Sequence, residues 1–466
     1  MKKINFFKLV SLLVVVVFVA ACNDNYPESH SVDTLIALDK KDVTLHAGES
    51  VNLSAKINFQ KDGKNVVTTI EKKVNWESSN SDVATIDANG KVTAVKGGTA
   101  IITAECQGTK ETCAISVKDI FVAGSLELSD SEKLAVIWQK CDTGAFIKYK
   151  VSDAEFAAMV VNEQGIYYAG TEGNVAKVWK DGAEQYELGE NNKITSMCID
   201  GGDVYVIGYN TISEDNIVAR LWKNGEEIGL DLTGNVSYAY DVAIEKGVVY
   251  VVGSQFREET GAGKMHDAML WTDTIETAGK TSMSLPFPDR LTTNKHAQAR
   301  TICINNGVVY VGGSAGYDSE GKPYIWKNGE EDVVVEKFNL ANEKEKTFVK
   351  NLKFVNNELY AFYDTKLLMG NKKSEDAKDY MIQAQGSGYA DVAVSEGSVF
   401  VVGQGYPQYA NGKTNECDSS YDGTAFATIL LKDNGMVDFL PRSMRAKGGE
   451  EKTKYPKSNA VAIGIR

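Results

Sequence analysis

The stretch Val204-Tyr205-Val206-Ile207-Gly208, followed by Ala219-Arg220-Leu221-Trp222-Lys223-Asn224-Gly225, decides the fold of this chain. An apolar strand that ends in Gly is followed by a variable segment and by a second strand that closes on a tight turn. The same phrase returns at residues 309–313 and 324–329, and weaker copies bring the total to seven within residues 119–466. Repeats of this size are typical of solenoids, propellers or arrays.

The repeats align on one aromatic residue in each apolar run: Phe121, Tyr167, Tyr205, Tyr250, Tyr310, Tyr360 and Phe400. Each run except the first is preceded by another strand. The first run lacks this upstream strand, but residues 459–463 near the C-terminus resemble it and have no run of their own. We therefore predict a seven-bladed β-propeller over residues 119–466, closed by the C-terminal strand. Each blade would have about 50 residues, enough for four strands. An open solenoid is the alternative, but it would leave residues 460–463 without a partner.

The tryptophans of this region recur at the same point in successive copies, so we expect them to pack between blades: Trp138, Trp179, Trp222, Trp271 and Trp326. The Lys-Asn-Gly and Lys-Asp-Gly turns after them suit two-residue hairpins, which need positive φ. The sixth repeat has Asn351 and Lys353 where the others have small residues, and its run lacks the terminal Gly. We expect an irregular sixth blade.

Residues 33–118 alternate apolar and polar positions between Gly-containing turns, which predicts a small β-sandwich. The stretch Val74-Asn75-Trp76-Glu77-Ser78-Ser79-Asn80, with the turn at Asn89-Gly90, resembles the bacterial immunoglobulin-like group 2 domain. The resemblance implies an Ig-like module that acts as a spacer, with Trp76 in its core. The whole chain is thus predicted to be all-β.

The N-terminus carries Lys2, Lys3 and Lys8, an apolar run over residues 9–19, and then Ala20-Ala21-Cys22. This order predicts an export signal at residues 1–21. The four residues Val19-Ala20-Ala21-Cys22 resemble a bacterial lipobox. This resemblance implies lipidation of Cys22 and a solvated tether over residues 22–32. An uncleaved membrane anchor is the alternative, but the run is short for a membrane span.

Acidic residues soon after Cys22, Asp24 and Glu28, resemble the signal that accompanies surface display in lipoproteins of Bacteroidota. The Tyr-Val-x-Gly and Trp-Lys-Asn-Gly repeats also resemble a family of uncharacterised bacterial surface lipoproteins. These resemblances imply an outer membrane lipoprotein at the cell surface and a fold, but no reaction. The membrane leaflet and the oligomeric state stay open.

The formal net charge is −13, and loss of the three signal lysines takes it to −16. Nucleic acid is therefore excluded as a partner, because neutralising phosphates needs a basic surface and no basic stripe is present. The acidity instead provides solubility outside the cell.

Cys106 and Cys113 flank a predicted hairpin loop over residues 107–112, where opposed strand positions could be bridged. A disulfide and two free thiols are both compatible with this pattern. Cys198 and Cys303 occupy the same position in two repeats and are expected to be small core residues.

In a propeller, the connections between strands two and three and those between blades share one face. The predicted loops of that face are long: 254–267, 284–298, 314–322, 404–426 and 441–458. Long loops on a rigid scaffold tend to carry function. Our candidate ligand-binding residues lie there: Tyr209, Phe256, Arg257, Tyr317, Tyr406, Tyr409 and Tyr421, with Phe287 and Arg290 nearby.

Aromatic and polar side chains on an acidic extracellular protein suit stacking on sugars or a protein interface. We therefore expect a non-catalytic protein that binds polysaccharide or glycoprotein. The alternative interpretation is that these side chains only pack their own long loops.

No catalytic motif occurs in the required context. The residues Gly312-Gly313-Ser314-Ala315-Gly316 match a nucleophile elbow, but no helix is predicted after them. We expect no cofactor and no metal, although residues 418–423 could hold calcium if they are not a solvated turn. The rival hypotheses are an enzyme acting on extracellular glycans, with Asp241, Asp391 and Arg300 as candidates near the axis, and a structural subunit of an outer-membrane assembly.

Overall fold

The structure is a computed structural model of the full chain. It describes residues 32–466 except for 62, 67–72, 130–131, 142–143, 214, 231–235, 260–262, 275–278, 288–294, 318–319, 329, 332–347, 356, 364–365, 370–377, 380–387, 397, 406–426, 433–434 and 441–456. The candidates Cys22, Arg290, Tyr406, Tyr409 and Tyr421 and the calcium segment 418–423 lie outside the described residues. No helix long and apolar enough to span a membrane occurs among the residues described.

The described part of the first unit contains ten strands. They are β1 (Asp33–Leu38), β2 (Asp42–His46), β3 (Ser50–Asn52), β4 (Ala55–Lys61), β5 (Lys64–Asn65), β6 (Asn75–Ser78), β7 (Ala84–Ile86), β8 (Lys91–Ala94), β9 (Gly98–Cys106) and β10 (Thr109–Lys118). They form sheets in the orders β1-β4-β5, β2-β10-β9-β6 and β3-β8-β7. Inward residues of these sheets share one apolar cluster that includes Phe59, Ile102 and Ile115. Trp76 packs against this cluster but stays half-buried.

The disulfide considered between Cys106 and Cys113 does not form, and both thiols are free and buried. The hairpin turn is only Gln107-Gly108, both with positive φ, so Cys106 pairs with Thr109 and Cys113 pairs with Ile102. The two cysteines are therefore four positions out of register, about 14 Å along the strands. A disulfide needs Cα atoms within about 7 Å. Burial raises the pKa of both thiols, which makes them inert core residues.

Seven four-stranded antiparallel sheets follow in the described part of residues 119–466. Sheet 1 has β11 (Ile120–Ser129), β12 (Glu132–Cys141), β13 (Gly144–Ser152) and the last strand, β38 (Lys457–Ile465). Sheet 2 has β14 (Ala154–Asn162), β15 (Gly165–Glu172), β16 (Val175–Lys180) and β17 (Ala183–Glu190). Sheet 3 has β18 (Asn192–Asp200), β19 (Asp203–Ser213), β20 (Asn216–Lys223) and β21 (Glu226–Glu227).

The remaining four sheets follow in chain order. Sheet 4 has β22 (Ser237–Glu245), β23 (Val248–Glu259), β24 (Gly263–Thr274) and β25 (Gly279–Ser284), and sheet 5 has β26 (Lys295–Asn305), β27 (Val308–Tyr317), β28 (Glu320–Lys327) and β29 (Glu330–Glu331). Sheet 6 has β30 (Val349–Val355), β31 (Glu358–Tyr363), β32 (Lys366–Met369) and β33 (Lys378–Asp379), and sheet 7 has β34 (Gly388–Ser395), β35 (Ser398–Gly405), β36 (Ala427–Lys432) and β37 (Gly435–Leu440).

One edge strand of each sheet faces its neighbours: β38 in sheet 1, then β14, β18, β22, β26, β30 and β34. We call these the innermost strands. Each contacts the next in this order, and β34 contacts β38 in turn. The strand β38 pairs antiparallel with β11, from Ile120 opposite Ile465 to Glu127 opposite Lys457. The second unit is therefore all-β and propeller-like.

The tight turns explain the Lys-Asn-Gly signature. Asn224 has a φ of 50° and Gly225 one of 88°, as a two-residue hairpin requires. The side-chain oxygen of Asn224 accepts a hydrogen bond from the Val204 amide at 2.8 Å, and Asn328 does the same for Val309 at 3.0 Å. The lysine before the turn lies over the aromatic residue of the repeat, as Lys223 does over Tyr205 at 5.4 Å.

The five tryptophans of the repeats are buried, none exposing more than 4% of its surface: Trp138, Trp179, Trp222, Trp271 and Trp326. Their expected role in packing is confirmed, since each belongs to a cluster shared by two successive sheets or lies at its boundary.

Two expectations about loops were wrong. Residues 254–267 and 314–322 were expected to be long loops, but most of them extend the paired strands β23/β24 and β27/β28. Pairing continues there with Phe256 packed on His266 across the hairpin at 4.1 Å and with Met265 buried. Phe256, Arg257 and Tyr317 therefore lie on strands.

The two units join at one end of the innermost strands. The Gly97 amide donates to Asp119 Oδ1 at 2.7 Å, and the backbones of Asp119 and Arg466 exchange hydrogen bonds of 2.8 and 3.0 Å. The His46 ring of the first unit lies 4.6 Å from the Phe400 ring of sheet 7. The Ig-like unit is thus attached at the end where β38 finishes and β11 begins.

Candidate functional site: an axial cavity

Each innermost strand carries one extra residue at the same place. In sheet 4, Ala239 pairs with Gly253 and Asp241 pairs with Val252, so Tyr240 is left opposite no partner. This is a β-bulge, a device that turns a side chain out of the regular alternation. The equivalent bulged residues are Ala157, Thr195, Tyr240, Arg300, Lys350, Ala390 and Val461.

The Gly that recurs at the end of the apolar runs, except in sheet 6, gives this bulge the space that it needs. A Cβ atom on Gly253 would stand 1.8 Å from the carbonyl oxygen of Tyr238, and one on Gly313 would stand 1.9 Å from that of Gln298. Gly170 and Gly208 meet the same obstacle at 2.0 Å. At these four positions the Gly is required because the bulged strand brings its backbone too close for any side chain. Sheet 6 keeps the bulge at Lys350 although Tyr363 replaces the Gly.

All seven bulged residues line one cavity of about 600 Å³. The other lining residues in the described part of the chain include Glu155, Lys193 and Phe348. The bulges lie near the beginnings of the innermost strands, so the cavity opens at the end of the axis opposite the Ig-like unit. Its volume is within the ~300–1,000 Å³ range of small-molecule sites.

Arg300 is the central cation of the cavity. Its guanidinium carbon lies 4.0 Å from the ring centroid of Tyr240 and 5.1 Å from that of Phe348. Within the described residues, its hydrogen bonding is limited to Nη2, which donates to the side-chain oxygen of Gln298, and its Nε is buried without a partner. The flat guanidinium is thus fixed by aromatic rings and keeps most of its N–H donors available.

Two lysines reinforce the positive charge. Lys350 is a bulged residue, and Lys193 lies two residues before the bulge of sheet 3. Neither forms an ion pair with the described part of the chain. The carboxylate of Glu155, which also lines the cavity, is paired with Lys133 at 2.6 Å. The described lining therefore carries uncompensated positive charge.

An aromatic patch leads away from the cavity. We use this name for Tyr209, Tyr238, Tyr240, Phe256 and His266. The Tyr238 ring stacks on Tyr240 at 5.9 Å and lies 5.0 Å from Tyr209 and 6.4 Å from Phe256. Burial, together with Tyr240 and Tyr209, raises the pKa of Tyr238. The patch is continuous with the cavity because Tyr240 belongs to both.

His266 closes the patch on its inner side. Its ring lies 4.1 Å from Phe256 and 4.8 Å from His296, and its Nδ1 lies 3.2 Å from Ser254 Oγ. Burial, with additional repulsion from His296 and Arg300, lowers the pKa of His266 to about 3. The ring is therefore neutral at physiological pH.

The structure brings some of the candidate residues together. Tyr209 and Phe256 both belong to the aromatic patch. Arg257 is engaged elsewhere, since its Nε contacts both oxygens of Asp267 at 3.0 and 3.2 Å and its guanidinium lies over Phe287. The backbone of Tyr317 lies in β27, and its side chain is outside the described atoms.

Asp241 and Asp391, the carboxylates considered for an enzyme, serve as ties between sheets. Asp241 accepts hydrogen bonds from the hydroxyls of Ser196 and Thr301 and from the amides of Val242 and Ile302, at 2.8–3.0 Å. These donors come from sheets 3, 4 and 5. Burial raises the pKa of Asp241, and the four hydrogen bonds act against that rise.

Asp391, three sheets further along the chain, repeats this arrangement. It accepts from the Asn351 side chain at 2.8 Å, from the Val392 amide at 2.8 Å and from the Ile463 amide at 3.0 Å. It therefore ties sheet 6 to sheet 7 and to β38. Neither carboxylate lines the cavity. Among the described residues, no group of three or more His, Cys, Asp or Glu could hold a metal ion.

Sequence reasoning missed Thr195, Tyr240, Lys350 and Lys193 as site residues. The available signal was positional, because a bulged residue directly precedes the small or acidic residue of its repeat, as Tyr240 precedes Asp241; in sheet 6 that position holds Asn351. Arg300 was noted only as a candidate of the enzyme hypothesis. A single extra residue in a strand leaves the apolar pattern nearly unchanged, so the pattern alone did not reveal it.

Comparison with known proteins confirms the resemblance of the first unit. Residues 34–114 match the bacterial Ig-like domain (group 2) family. No protein with a curated function matches the chain.

Among solved structures, the chain is similar to a quinonprotein alcohol dehydrogenase-like protein from Bacteroides thetaiotaomicron, with 10% identity, a TM-score of 0.36, and coverage of 91% of this chain and 96% of that one. It is also similar to the β-propeller domain of the Trilobed protease from Pyrococcus furiosus, with 12% identity, a TM-score of 0.40, and coverage of 74% and 92%. A third is extracellular domains 1–2 of Drosophila semaphorin 1a, with 7% identity, a TM-score of 0.35, and coverage of 68% and 85%. Likeness of this degree carries no information about activity or ligand.

Proposed function

We propose that this chain is a non-catalytic binding lipoprotein of the bacterial outer membrane, anchored through Cys22 and displayed at the cell surface. Its seven sheets are the blades of one propeller that β38 closes, and its axial cavity binds an extracellular polysaccharide or glycoprotein. The Ig-like unit acts as a spacer between the lipid and the propeller.

The observation that carries this proposal is the convergence of seven bulged residues on one cavity. A propeller has a central channel along its axis. Here all seven bulges aim side chains into that channel, and bulges are frequent where a side chain must be aimed at a ligand. The continuous aromatic patch from Tyr240 to Tyr209 adds a surface on which sugar rings or a protein can pack.

The placement of the Ig-like unit also supports the proposal. The N-terminal part of the chain joins the propeller at Asp119, at the end of the axis where Arg466 lies. The cavity opens at the other end. A lipid anchor before the Ig-like unit would therefore direct the cavity away from the membrane.

The acidic residues considered for a glycan-cleaving enzyme support binding better than catalysis. Each carboxylate of Asp241 and Asp391 accepts hydrogen bonds from neighbouring sheets, which leaves neither free to move a proton. Glycoside hydrolysis generally needs two carboxyl groups that flank the scissile bond.

Glycan arrays and affinity electrophoresis with the purified mature protein test this function. We expect retention by at least one extracellular polysaccharide or glycoprotein, without cleavage products. A Tyr238→Ala variant should weaken retention, because it interrupts the patch between Tyr209 and Tyr240. Absence of binding to every polymer, by a protein whose circular dichroism is intact, would overturn the proposal.

A further inference from the structure

We propose that the axial cavity receives a carboxylate-bearing sugar unit, with Arg300 binding the carboxylate. This inference rests on the proposed function and specifies the ligand class that the same site recognises. It goes beyond a general affinity for glycans because it assigns the charge of the ligand and the residue that reads it.

The cavity lining is cationic. Arg300, Lys350 and Lys193 line one cavity, although the chain as a whole has a formal net charge of −13. The carboxylate of Glu155 is already paired with Lys133, so no described carboxylate of the lining neutralises the three cations. A concave site of one sign attracts and concentrates a ligand of the opposite sign. The lining therefore suits an anionic ligand.

The Arg300 guanidinium is held in place with most of its N–H donors available for a ligand. Rings of Tyr240 and Phe348 hold the guanidinium in place, and one of its five N–H donors is used by Gln298 within the described residues. A fixed, flat guanidinium matches the two oxygens of a carboxylate in a bidentate pair. Because the ring contacts already restrict its rotamers, little further entropy is lost when the ligand binds.

The size of the cavity and the aromatic patch beside it suit a sugar ring attached to the carboxylate. The cavity of about 600 Å³ has room for more than a small anion. Tyr240 both contacts Arg300 and stacks on Tyr238, so a unit whose carboxylate meets Arg300 could place an apolar ring face against this patch. The overall negative charge of the protein disfavours densely charged polymers, which favours carboxylates spaced along a chain of rings.

Calorimetric titration of the mature protein tests this inference. The ligands are an oligogalacturonate and its fully methyl-esterified counterpart, which share the same rings but differ in charge. We expect the acidic form to bind about tenfold or more tightly than the ester, through charge-assisted hydrogen bonds. This preference should decrease as salt is added, because exposed parts of the cavity are screened.

Arg300→Gln should remove the preference, reducing affinity for the acid about tenfold or more while leaving the ester unchanged. Arg300→Lys should give an intermediate loss, since the charge remains but the bidentate geometry does not. Arg220→Gln is the matched control. Arg220, on β20, also has a buried, unpartnered Nε, but its guanidinium pairs with Glu227 of β21 and does not line the cavity. Its variant should bind as the wild type does, and equal unfolding midpoints should accompany all three variants.

The outcomes separate this inference from the proposed function. Equal affinity for acid and ester, or an unchanged preference in Arg300→Gln, overturns the carboxylate site and leaves glycan binding intact. If neither polymer binds, the change in thermal unfolding midpoint on adding glucuronate tests the carboxylate site directly. Glucose, which lacks the carboxylate, is the control ligand. A shift with glucuronate in the wild type but not in Arg300→Gln supports the carboxylate site while the polymer-binding function fails. No shift with glucuronate overturns the carboxylate site as well.

Discussion

The two arcs of the axial cavity share one backbone design but differ in side chains. In sheets 4, 5 and 6 the bulged residues are Tyr240, Arg300 and Lys350, whereas in sheets 7, 1 and 2 they are Ala390, Val461 and Ala157. We call sheets 4, 5 and 6 the cationic arc, because their bulged residues supply charge and aromatic surface. We call sheets 7, 1 and 2 the small-residue arc, because their bulged residues leave space in the cavity. The difference shows that a repeated backbone irregularity can build an asymmetric site, since only the residue at the bulge has to change.

The largest expected effect comes from removing the bulge in either arc. Gly253→Val in the cationic arc and Gly170→Val in the small-residue arc would each force a Cβ to within 1.8–2.0 Å of a carbonyl oxygen. We expect each to destabilise the protein by about 2–4 kcal/mol, because backbone must move. Urea unfolding measures this loss. Gly247→Ala is the control, since it meets no atom within 4 Å and should cost only the strain of its positive φ, about 1 kcal/mol. A mild effect in one arc only would mean that the bulges are not equivalent.

The next effect concerns the histidine behind the cationic arc. The pKa of His266 is about 3 in the folded protein and about 6.5 when unfolded, so the unfolded state binds more protons between these values. Wild-type stability should therefore fall as the pH falls below about 6.5. His266→Phe should remove this contribution, worth about 1–2 kcal/mol between pH 6.5 and 5 after allowance for partial exposure.

Chemical denaturation across this pH range measures the difference between wild type and His266→Phe. Tyr238→Phe provides the control, since it alters the same patch without changing a group that titrates there. Parallel pH profiles for wild type and His266→Phe would show that His266 is solvated in the folded protein.

The space in the small-residue arc can be tested by filling it. Ala390→Tyr would place a large side chain into the cavity that Arg300 also lines. We expect at least a tenfold loss of glycan affinity, about 1.4 kcal/mol, with little change in stability because Ala390 is exposed. Calorimetry measures the affinity. Unchanged binding would show that the ligand does not enter the cavity and rests on the patch alone.

The smallest effect is expected for Lys193, which lies in sheet 3 beside the cationic arc. Lys193 is exposed and precedes the bulge, so Lys193→Gln should weaken binding of an acidic glycan only about two- to threefold. Most of that loss should appear in the association rate and should vanish at high salt. Stopped-flow or surface plasmon resonance at two salt concentrations distinguishes this. A loss as large as that of Arg300→Gln would move the centre of the site towards sheet 3.

Much of the architecture could be predicted from the sequence because the repeats combine several local signals. The Trp and Lys-Asn-Gly positions mark the third strand and its turn, and these elements lie where they were expected. Strand pairing beyond the Gly was missed, since Phe256 and Arg257 sit among polar residues that resemble a loop. The pairing of Cys106 and Cys113 was left open because the sequence does not fix the length of the turn. The turn is only Gln107-Gly108, and this register keeps the two cysteines apart.

The site was harder to predict than the scaffold. Tyr209 and Phe256 could be proposed from residue type and face, but their connection through Tyr238 depends on contacts between sheets 3 and 4. Arg300 and Asp241 lie close to the axis in the sequence pattern, yet only the hydrogen bonds separate a cation that faces the cavity from a carboxylate that ties sheets together.

The position of β38 has a consequence for biosynthesis. The strand β38 (Lys457–Ile465) comes after every other strand of the propeller in chain order, yet it is the innermost strand of sheet 1, and Arg466 next to it pairs with Asp119. Sheet 1 therefore stays incomplete until β38 has been synthesised, and a nonsense mutation or proteolytic nick just before Lys457 removes the innermost strand of that sheet. Quality control by loss of β38 would thus act on the whole assembly, before the protein reaches its ligand.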